Sequence, residues 1–428
     1  MLNIDLIRRD PDFVRERLTR REEDPAVVDQ VLALDEAWRQ LVHEGDELRQ
    51  QRNEASKAIG QMMRQDPAQA EGKKEEVRRL GDRLQQVEVE SREREAALRE
   101  LMLNIPNLPA DDVPVGADES ANVVLREEGE RRQFDFTPLP HWDLAESLGI
   151  VDLERGAKLS GARFYVFLET GIRLQRALIT WMLDLHRTQH DYKELGLPYM
   201  VRREVMEASG NLPKFADNLY HDEEDDLWLI PTAEVPITNF HRDEILDLGS
   251  LPLRYMAHTP CFRREKAAAG RDTRGIKRVH QFDKVEMYQF VAPEESAATL
   301  ESIRGHAEDV CTGLGIPYRV LQLCTADMGF PSAKSYDLEM WAPGSEEWLE
   351  VSSSSNCTDF QARRANIRFR REQGARPEFV HTLNGSGLAL PRVIIAILEN
   401  FQQADGSVDL PEVLWSYMGA QRLEPITG

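Results

Sequence analysis

The chain of 428 residues carries 53 Lys and Arg against 75 Asp and Glu, a formal net charge of −22, and 41% of it is hydrophobic. Length and apolar content predict two or three domains with real cores, which excludes wholesale disorder. The acidic balance excludes indiscriminate nucleic-acid binding and confines any such contact to local basic patches.

The start, MLNIDLIRRDPDF, lacks the basic-then-apolar pattern of an export signal, and no apolar run approaches the length of a membrane span. Cys261, Cys311, Cys324 and Cys357 are scattered, with neither CxxC zinc spacing nor a disulfide framework. A reduced, soluble, cytoplasmic protein without zinc and without a membrane partner is expected.

Residues 27–105 read as a helical hairpin. One series runs Leu34, Trp38, Leu41, Gly45, Leu48, Arg52, Ala55, Ile59, Met62, and a second runs Val77, Leu80, Leu84, Val87, Ser91, Arg94, Leu98, Leu101, Ile105. Their alternating three- and four-residue steps are the seam of a coiled coil. The stretch GQMMRQDPAQAEGKK between them, with Gly60, Pro67 and Gly72 as breakers, predicts an antiparallel return. Each helix of roughly 30 residues would reach about 45 Å, and Pro106 and Pro109 end the second. Charge is uneven along it: residues 21–48 hold two basic and nine acidic side chains, residues 49–83 nine basic and six acidic. A solvated coiled coil accounts for those charges, and so does a rigid arm carrying cations to an RNA phosphate backbone, reading shape and phosphates.

From about residue 110 the chain turns globular. Residues 161–201 predict a short strand, then an amphipathic helix with Ile172, Leu174, Leu178, Trp181, Met182 and Leu185 along one side, then a strand entry at Pro198. Short apolar stretches at 227–232, 253–262, 279–291, 318–323, 336–341 and 348–353, separated mostly by turns, predict a largely antiparallel sheet with added helices.

The segment CFRREKAAAGRDTRGIKRVHQFDKVEMY (261–288) holds eight basic and four acidic side chains, against the trend of the whole chain. Its GRDTRGIK fails as a P-loop, because Ile276 stands where the lysine must be and Arg278 follows Lys277 where a hydroxyl is needed. If a nucleotide binds, arginine side chains must replace the P-loop backbone. The flanks read as two strands, and period 2 puts Phe282, Lys284, Glu286 and Tyr288 on one face. A buried Glu286 then needs a cationic partner, which a substrate ammonium would supply.

Three further segments add polar groups. LIPTAEVPI sets Thr232 and Glu234 on one face of an expected strand. EEWLEVSSSSNCTDFQARR puts Glu350 before four serines, a hard-oxygen set for Mg²⁺ with a phosphate ligand; strictly extended geometry places Ser352 beside Glu350, whereas a bulge would bring Ser353 there. LNGSGLALPRVIIAILENFQQADGS reads as a Gly-rich turn entering a helix, with Pro391 in the first turn, a stripe of Leu390, Ile394, Ile397 and Phe401, and Arg392 adding charge to the helix dipole.

Taken together, these segments resemble bacterial-type seryl-tRNA synthetases over nearly the full length. TPCFRRE…GRDTRG…VHQFDKVEMY is similar to the second class II motif, residues 161–201 to the first, and GSGLALPR with its helix to the third. PTAEVPITN, EVSSSSNCTDFQARR and HTLNGSG are similar to segments that distinguish the serine enzyme. The resemblance implies an α+β fold: an antiparallel catalytic sheet of six or seven strands with flanking helices in residues 111–428, and a tRNA-binding domain with the coiled-coil arm in residues 1–110. It implies activation of L-serine by ATP to seryl-adenylate, transfer to the 3′ end of tRNA(Ser) and also tRNA(Sec), and a homodimer.

The resemblance further implies roles. Arg263, Glu350 and Arg392 would be catalytic. Arg263, Arg264, Glu265, Val279, Phe282, Glu350, Val351, Ser352, Ser353 and Arg392 would bind ATP, with Arg263 at the α-phosphate, Glu265 at the adenine amino group, Phe282 stacked on the ring and Arg392 at the γ-phosphate. Glu350 and Ser353 would hold Mg²⁺. Thr232, Ala233, Glu234, Glu286 and Ser386 would surround serine, and Arg52, Lys57, Arg64, Lys73, Lys74, Arg78 and Arg79 would meet tRNA. Lys266 and Ala268 depart from the family's usual residues in the 266–278 loop. Two alternatives stand beside this reading: an amino-acid ligase acting on a carrier protein, whose members lack the arm, and a catalytically inactive RNA-binding paralogue, which would have lost substrate residues.

Overall fold

The computed structural model describes residues 1–62, 67–266 and 274–426. Backbone contacts divide the chain into two compact units: Leu2–Thr19 with Glu23–Ile105, and Met1 and Arg20–Glu22 with Pro106–Gly428.

The first unit consists of helices α1 (Ile4–Arg9), α2 (Pro11–Arg20), α3 (Val27–Met62) and α4 (Pro67–Leu103). The long pair packs along the expected seam: Gly45, Ala55, Leu84 and Val87 are buried, while Arg94 falls on the exposed side. Both helices are longer than the spacing of breakers suggested. Gly72 lies inside α4, where a single glycine costs only about 1 kcal/mol, and Pro67 opens that helix, where its missing N–H is not needed. Asp35, off the seam, is nevertheless fully buried; Arg8 Nη2 reaches its Oδ1 at 2.6 Å and Arg39 Nε its Oδ2 at 2.9 Å. These guanidinium bonds outweigh the burial penalty and hold its carboxyl below the usual range.

The second unit is built on a sheet that, among the described residues, has eight strands. In chain order these are β1 (Val123–Glu128), β2 (Lys193–Glu194), β3 (Leu253–Phe262), β4 (Gln281–Val291), β5 (Tyr318–Gln322), β6 (Lys334–Ala342), β7 (Glu347–Asn356) and β8 (His381–Ala389). Their spatial order is β1-β5-β6-β7-β8-β4-β3-β2, antiparallel except for the β2–β3 edge. The sheet exceeds the expected six or seven strands because two short edge strands, β1 and β2, add backbone pairing with no long apolar run to announce them.

Helices α5 (Glu169–Gln189), α7 (Ser296–Leu314) and α8 (Leu390–Phe401) contribute to the main core. Leu174, Leu178 and Met182 from α5, Ile303 and Val310 from α7, and Ile394 and Ile397 from α8 join Val285, Met287, Leu338 and Leu349 from the sheet. Alternation along β4 therefore sends 285 and 287 into this core and leaves 282, 284 and 286 for the opposite face.

Candidate active site

That opposite face floors a cavity of about 750 Å³, lined by Phe282, Lys284 and Glu286 from β4 and by residues from β6, β7 and β8. The β3–β4 register is uninterrupted and pairs Phe282, Lys284 and Glu286 with Cys261, Thr259 and Ala257. These are small, fully buried neighbours, so the three long side chains stand over a low floor.

At one end Glu286 is fully buried. Its Oε2 accepts from Thr232 Oγ1 at 3.0 Å and pairs with the Lys284 ammonium, while its Oε1 has no partner among the described residues. The chain thus supplies the cation that the sequence left to a substrate, and one carboxylate oxygen remains for a ligand. Glu234 lines the same end. Gln361 Nε2 donates to its Oε1 at 2.6 Å and Asn384 Nδ2 to its Oε2 at 2.8 Å. Burial and the nearby charge of Glu286 push its carboxyl up to about 7. Behind it, Gln361 Oε1 accepts from Tyr288 Oη at 2.9 Å and from Thr382 Oγ1 at 2.8 Å, so the scaffold holding Glu234 is fixed by side chains that are themselves bonded. Asn384 Oδ1 is a second buried acceptor without a donor among the described residues. Each such orphan costs about 1–3 kcal/mol until a ligand answers it.

The segment around Thr232 is not the strand expected. Glu234–Thr238 is a short helix, α6, and Thr232 precedes it. Val235, Pro236, Ile237 and Thr238 are all buried there, and the Glu234 N–H donates to Thr232 Oγ1 at 3.3 Å where the turn begins. Ala233 is buried in an apolar cluster and does not line the cavity.

Further along the floor, Arg263 lines the cavity with its guanidinium carbon 5.2 Å from the Phe282 ring centroid, and Nε donates to the Pro231 carbonyl at 3.2 Å. Glu265, whose φ of +49° places it in the left-handed region, lies 3.9 Å from Arg278. Val279 is 4% exposed and forms part of the same wall. Arg264 points elsewhere: it is exposed, donates to the Leu219 carbonyl at 2.8 Å and covers the Tyr220 ring. Residues 267–273 of the intervening loop, including Ala268, lie outside the described residues.

The sequence left Ser352 and Ser353 as alternatives, and the register decides between them. In the β6–β7 pair Leu338 faces Ser352 and Glu339 faces Glu350, so Val351 is an extra residue, a β-bulge. Glu350 and Ser353 therefore share the cavity face with Asp337 and Glu339, whereas Ser352 turns inward and donates to the Ser386 carbonyl at 2.6 Å. Burial and the charge of Glu350 raise the Asp337 carboxyl well above its usual range, and Asp337 Oδ1 lacks a partner among the described residues. Crowded hard oxygens with an orphan acceptor suit Mg²⁺ arriving with a phosphate ligand. They do not make a protein-only centre: among the described residues no group of three or more His, Cys, Asp or Glu could hold a metal ion by itself.

Arg392 sits in the first turn of α8, and Nη1 donates to the Glu350 carbonyl at 2.7 Å and lies 3.3 Å from its carboxylate. The glycines before it are not a turn but part of β8. A Cβ on Gly385 would collide with Ile303 of α7 and with Ser354, so that strand must be bare where helix and neighbouring strand approach. Ser386 lines the cavity opposite Glu286.

The structure thus gathers Arg263, Glu265, Val279, Phe282, Glu350, Val351, Ser353, Arg392, Thr232, Glu234, Glu286 and Ser386 around one cavity, and leaves Arg264, Ala233 and Ser352 off its lining. Gln361, Asn384 and Asp337 carried a readable signal that went unused, a polar residue within a run otherwise bound for the core. In the helical unit, Lys57, Lys74, Arg78 and Arg79 are exposed and Arg52 and Lys73 half-buried. Among the described residues, Lys73, Lys74, Arg78 and Arg79 pair with glutamates of their own helix, at 2.7, 2.8, 4.0 and 3.6 Å. Arg64 lies outside the described residues.

Two family models match. Residues 214–401 fit the tRNA synthetase class II core domain (G, H, P, S and T), and residues 1–109 fit the seryl-tRNA synthetase N-terminal domain. The serine–tRNA ligase of Thermomicrobium roseum is 58% identical over 424 residues, 99% of this chain and 94% of that one. That of Roseiflexus sp. strain RS-1 is 59% identical over 419 residues, 98% of both chains. A seryl-tRNA synthetase from Pyrococcus horikoshii, solved in complex with ATP, superposes with a TM-score of 0.93 at 41% identity over 100% of each chain. The chain belongs to the seryl-tRNA synthetase family.

Proposed function

We propose that the cavity of the second unit is where serine and ATP meet, with serine at the Glu286 end and adenine over Phe282. The enzyme is an ATP-dependent aminoacyl-tRNA ligase that uses serine. One observation carries the placement: a fully buried carboxylate with an unanswered oxygen, Glu286 Oε1, in the same cavity as an arginine and an aromatic ring. The oxygen takes the serine ammonium, and Asn384 Oδ1 stands ready for a second donor.

Serine's carboxylate oxygen attacks the α-phosphorus of ATP; that bond forms as the bond to pyrophosphate breaks, and no proton moves. A 3′-terminal ribose hydroxyl of tRNA then attacks the seryl carbonyl: the new ester C–O bond forms as the anhydride C–O bond to the phosphate breaks, AMP leaves, and the hydroxyl proton passes to the departing phosphate or solvent. Because the nucleophile is already ionised, the protein's work is alignment and charge stabilisation. Arg263 grips the serine carboxylate and an α-phosphoryl oxygen with a fork that lysine does not reproduce. Arg392 exchanges its Glu350 contact for the terminal phosphate. Mg²⁺ bound with ATP would be held by Glu350 and Ser353 and would offset phosphate charge.

The exposed cations Lys57, Lys74, Arg78 and Arg79, with Arg52, Arg64 and Lys73, carry the tRNA backbone. The glutamate pairs of Lys73, Lys74, Arg78 and Arg79 are worth at most about 1 kcal/mol each, so phosphates displace them readily. The reading extends to a homodimer, to tRNA(Sec) beside tRNA(Ser), and to a cytoplasmic enzyme; among the described residues no helix is long and apolar enough to cross a membrane. The carrier-protein alternative is disfavoured by the long helical pair, and the inactive-paralogue alternative by the presence of Arg263, Glu286, Glu350 and Arg392 in one cavity.

The test is serine-dependent exchange of pyrophosphate into ATP, followed by serylation of tRNA(Ser) with and without residues 27–105. Exchange that survives the deletion while tRNA charging collapses is expected. Absence of exchange in the intact chain, or full charging without the hairpin, would refute the reading.

A further inference from the structure

Lys284 is a charged residue of the cavity floor that is not needed to hold serine's ammonium, the adenine or the terminal phosphate. It is 7% exposed, lines the cavity, and pairs with Glu286 Oε2. As a counter-charge it uses one of the three donors of an ammonium. Its position on β4 says more. Phe282, Lys284 and Glu286 follow one another on one face of a strand paired regularly with β3, each about 6.7 Å from the next, while on the β8 side the register shifts between Lys284 and Glu286. In seryl-adenylate the covalent order is ammonium, carboxyl carbon, α-phosphoryl group, ribose, adenine. An adenine over Phe282 and an ammonium at Glu286 therefore put the reacting carboxylate and α-phosphorus over the residue between them. The Thr259 side of the floor beneath Lys284 is short and buried, which leaves the ammonium to rise into the cavity.

We propose that Lys284 is a catalytic residue for adenylation, a second cation that meets the α-phosphoryl oxygen or the serine carboxylate opposite Arg263. This rests on the placement of serine and ATP proposed above. Without serine, the Lys284 ammonium shares Glu286 with Thr232. When serine's ammonium docks on Glu286 Oε1, two cations compete for one carboxylate, and the attraction holding Lys284 there weakens. Its charge then turns to the negative oxygens gathering where the new O–P bond forms and the P–O bond to pyrophosphate breaks. Arrival of an α-amino acid thereby completes the cationic site, and a hydroxy acid of the same shape, lacking the ammonium, does not. The stabilisation is greatest in the transition state, where the phosphoryl oxygens carry most charge.

The experiment compares wild type with Lys284→Met and Lys284→Arg, using serine-dependent pyrophosphate exchange, single-turnover adenylation, and equilibrium binding of serine and of the non-reactive seryl-sulfamoyl adenosine. Lys284→Met should lower the adenylation rate roughly 10²-fold. Serine affinity should change less than about threefold, and affinity for the sulfamoyl analogue should fall at least about tenfold. Lys284→Arg keeps a counter-charge for Glu286 and so guards against loss of fold; it should retain serine affinity and still lose about tenfold or more in adenylation, because its rigid fork does not occupy the place of a compact ammonium. A Lys284→Ala variant should recover adenylation on addition of ethylammonium. If Lys284 only neutralises Glu286, both variants keep kcat within about threefold of wild type, with KM for serine raised in Lys284→Met alone, and the proposal falls. A wild type without serine-dependent exchange would instead remove the placement of serine and ATP, and the proposal with it.

Discussion

Replacing Glu286 with glutamine keeps the shape of the side chain and removes its charge, which makes it the sharpest probe of the serine end. Three contacts change. Thr232 Oγ1, 3.0 Å from Oε2, still finds an amide oxygen if that oxygen faces it. The Lys284 ammonium loses its ionised partner while 7% exposed. The incoming serine ammonium meets a neutral amide instead of the unanswered Oε1. A hydrogen bond to a charged group contributes about 1.5–3 kcal/mol, which is roughly a 10- to 150-fold loss in serine binding. Leaving Lys284 buried without its partner destabilises the free protein by a further few kcal/mol, about 3–5 where one member of a buried pair is removed. The Tm of Glu286→Gln should therefore drop, and serine binding should restore part of it less effectively than in wild type. The assay is pyrophosphate exchange at varied serine and varied ATP: KM for serine should rise at least about tenfold, and KM for ATP should stay within about threefold. An equal rise in both constants would refute the assignment of Glu286 to the ammonium.

Other outcomes follow from the same geometry. Arg263→Lys keeps a positive charge but loses the fork, and should slow adenylation roughly 10²-fold or more; a rate within about tenfold of wild type would remove Arg263 from the reacting centre. Glu234, with a carboxyl raised from 4.5 to about 7, favours its neutral form in the folded protein. The stability it confers is complete below its unfolded value and is lost as pH rises through 7, by about 3 kcal/mol in all. The Tm of Glu234→Gln relative to wild type should accordingly climb between pH 5 and pH 8, and a flat difference would show that the group titrates normally. Replacing Lys74, Arg78 and Arg79 together by glutamine should weaken tRNA binding and make its slope against log salt shallower by about one for each phosphate no longer neutralised, with serine-dependent exchange unchanged; an unchanged slope would place the tRNA elsewhere. Gly385→Ala should cost at least about 1–3 kcal/mol of stability through the clash with Ile303, read as a lower Tm; no change would mean that α7 gives way.

What could be read from the sequence divides along physical lines. The hairpin was legible because a seam of three- and four-residue steps is a local, repeating signal, and α3 and α4 extend it only where single breakers proved weak. The face carrying Phe282, Lys284 and Glu286 was legible because β4 is regular against β3. Thr232 and Glu234 were placed together correctly and on the wrong element, since a five-residue helix with every apolar residue buried has no period to read. The pairing of Glu286 with Lys284 was open to sequence reasoning, two residues apart on one face, but its geometry depends on how low the β3 side of the floor is.

The choice between Ser352 and Ser353 shows where such reading stops and why. Four consecutive serines are chemically alike, so only backbone phase can tell them apart, and phase is set by one extra residue, Val351, at a bulge that shows only in the pairing with the neighbouring strand. A one-residue slip there would turn Ser353 inward and carry Ser352 to the cavity, reversing which hydroxyl stands beside Asp337 and Glu350. The bulge also lets Val351 join the apolar core while Glu350 stays on the polar face. Ser353→Ala should therefore weaken the response of adenylation to Mg²⁺, raising the metal concentration needed for half-maximal rate. Ser352→Ala, which only loses a bond to the Ser386 carbonyl, should leave that concentration unchanged and lower stability by about 1 kcal/mol. The opposite pattern would mean that the strand slips by one residue when ATP binds.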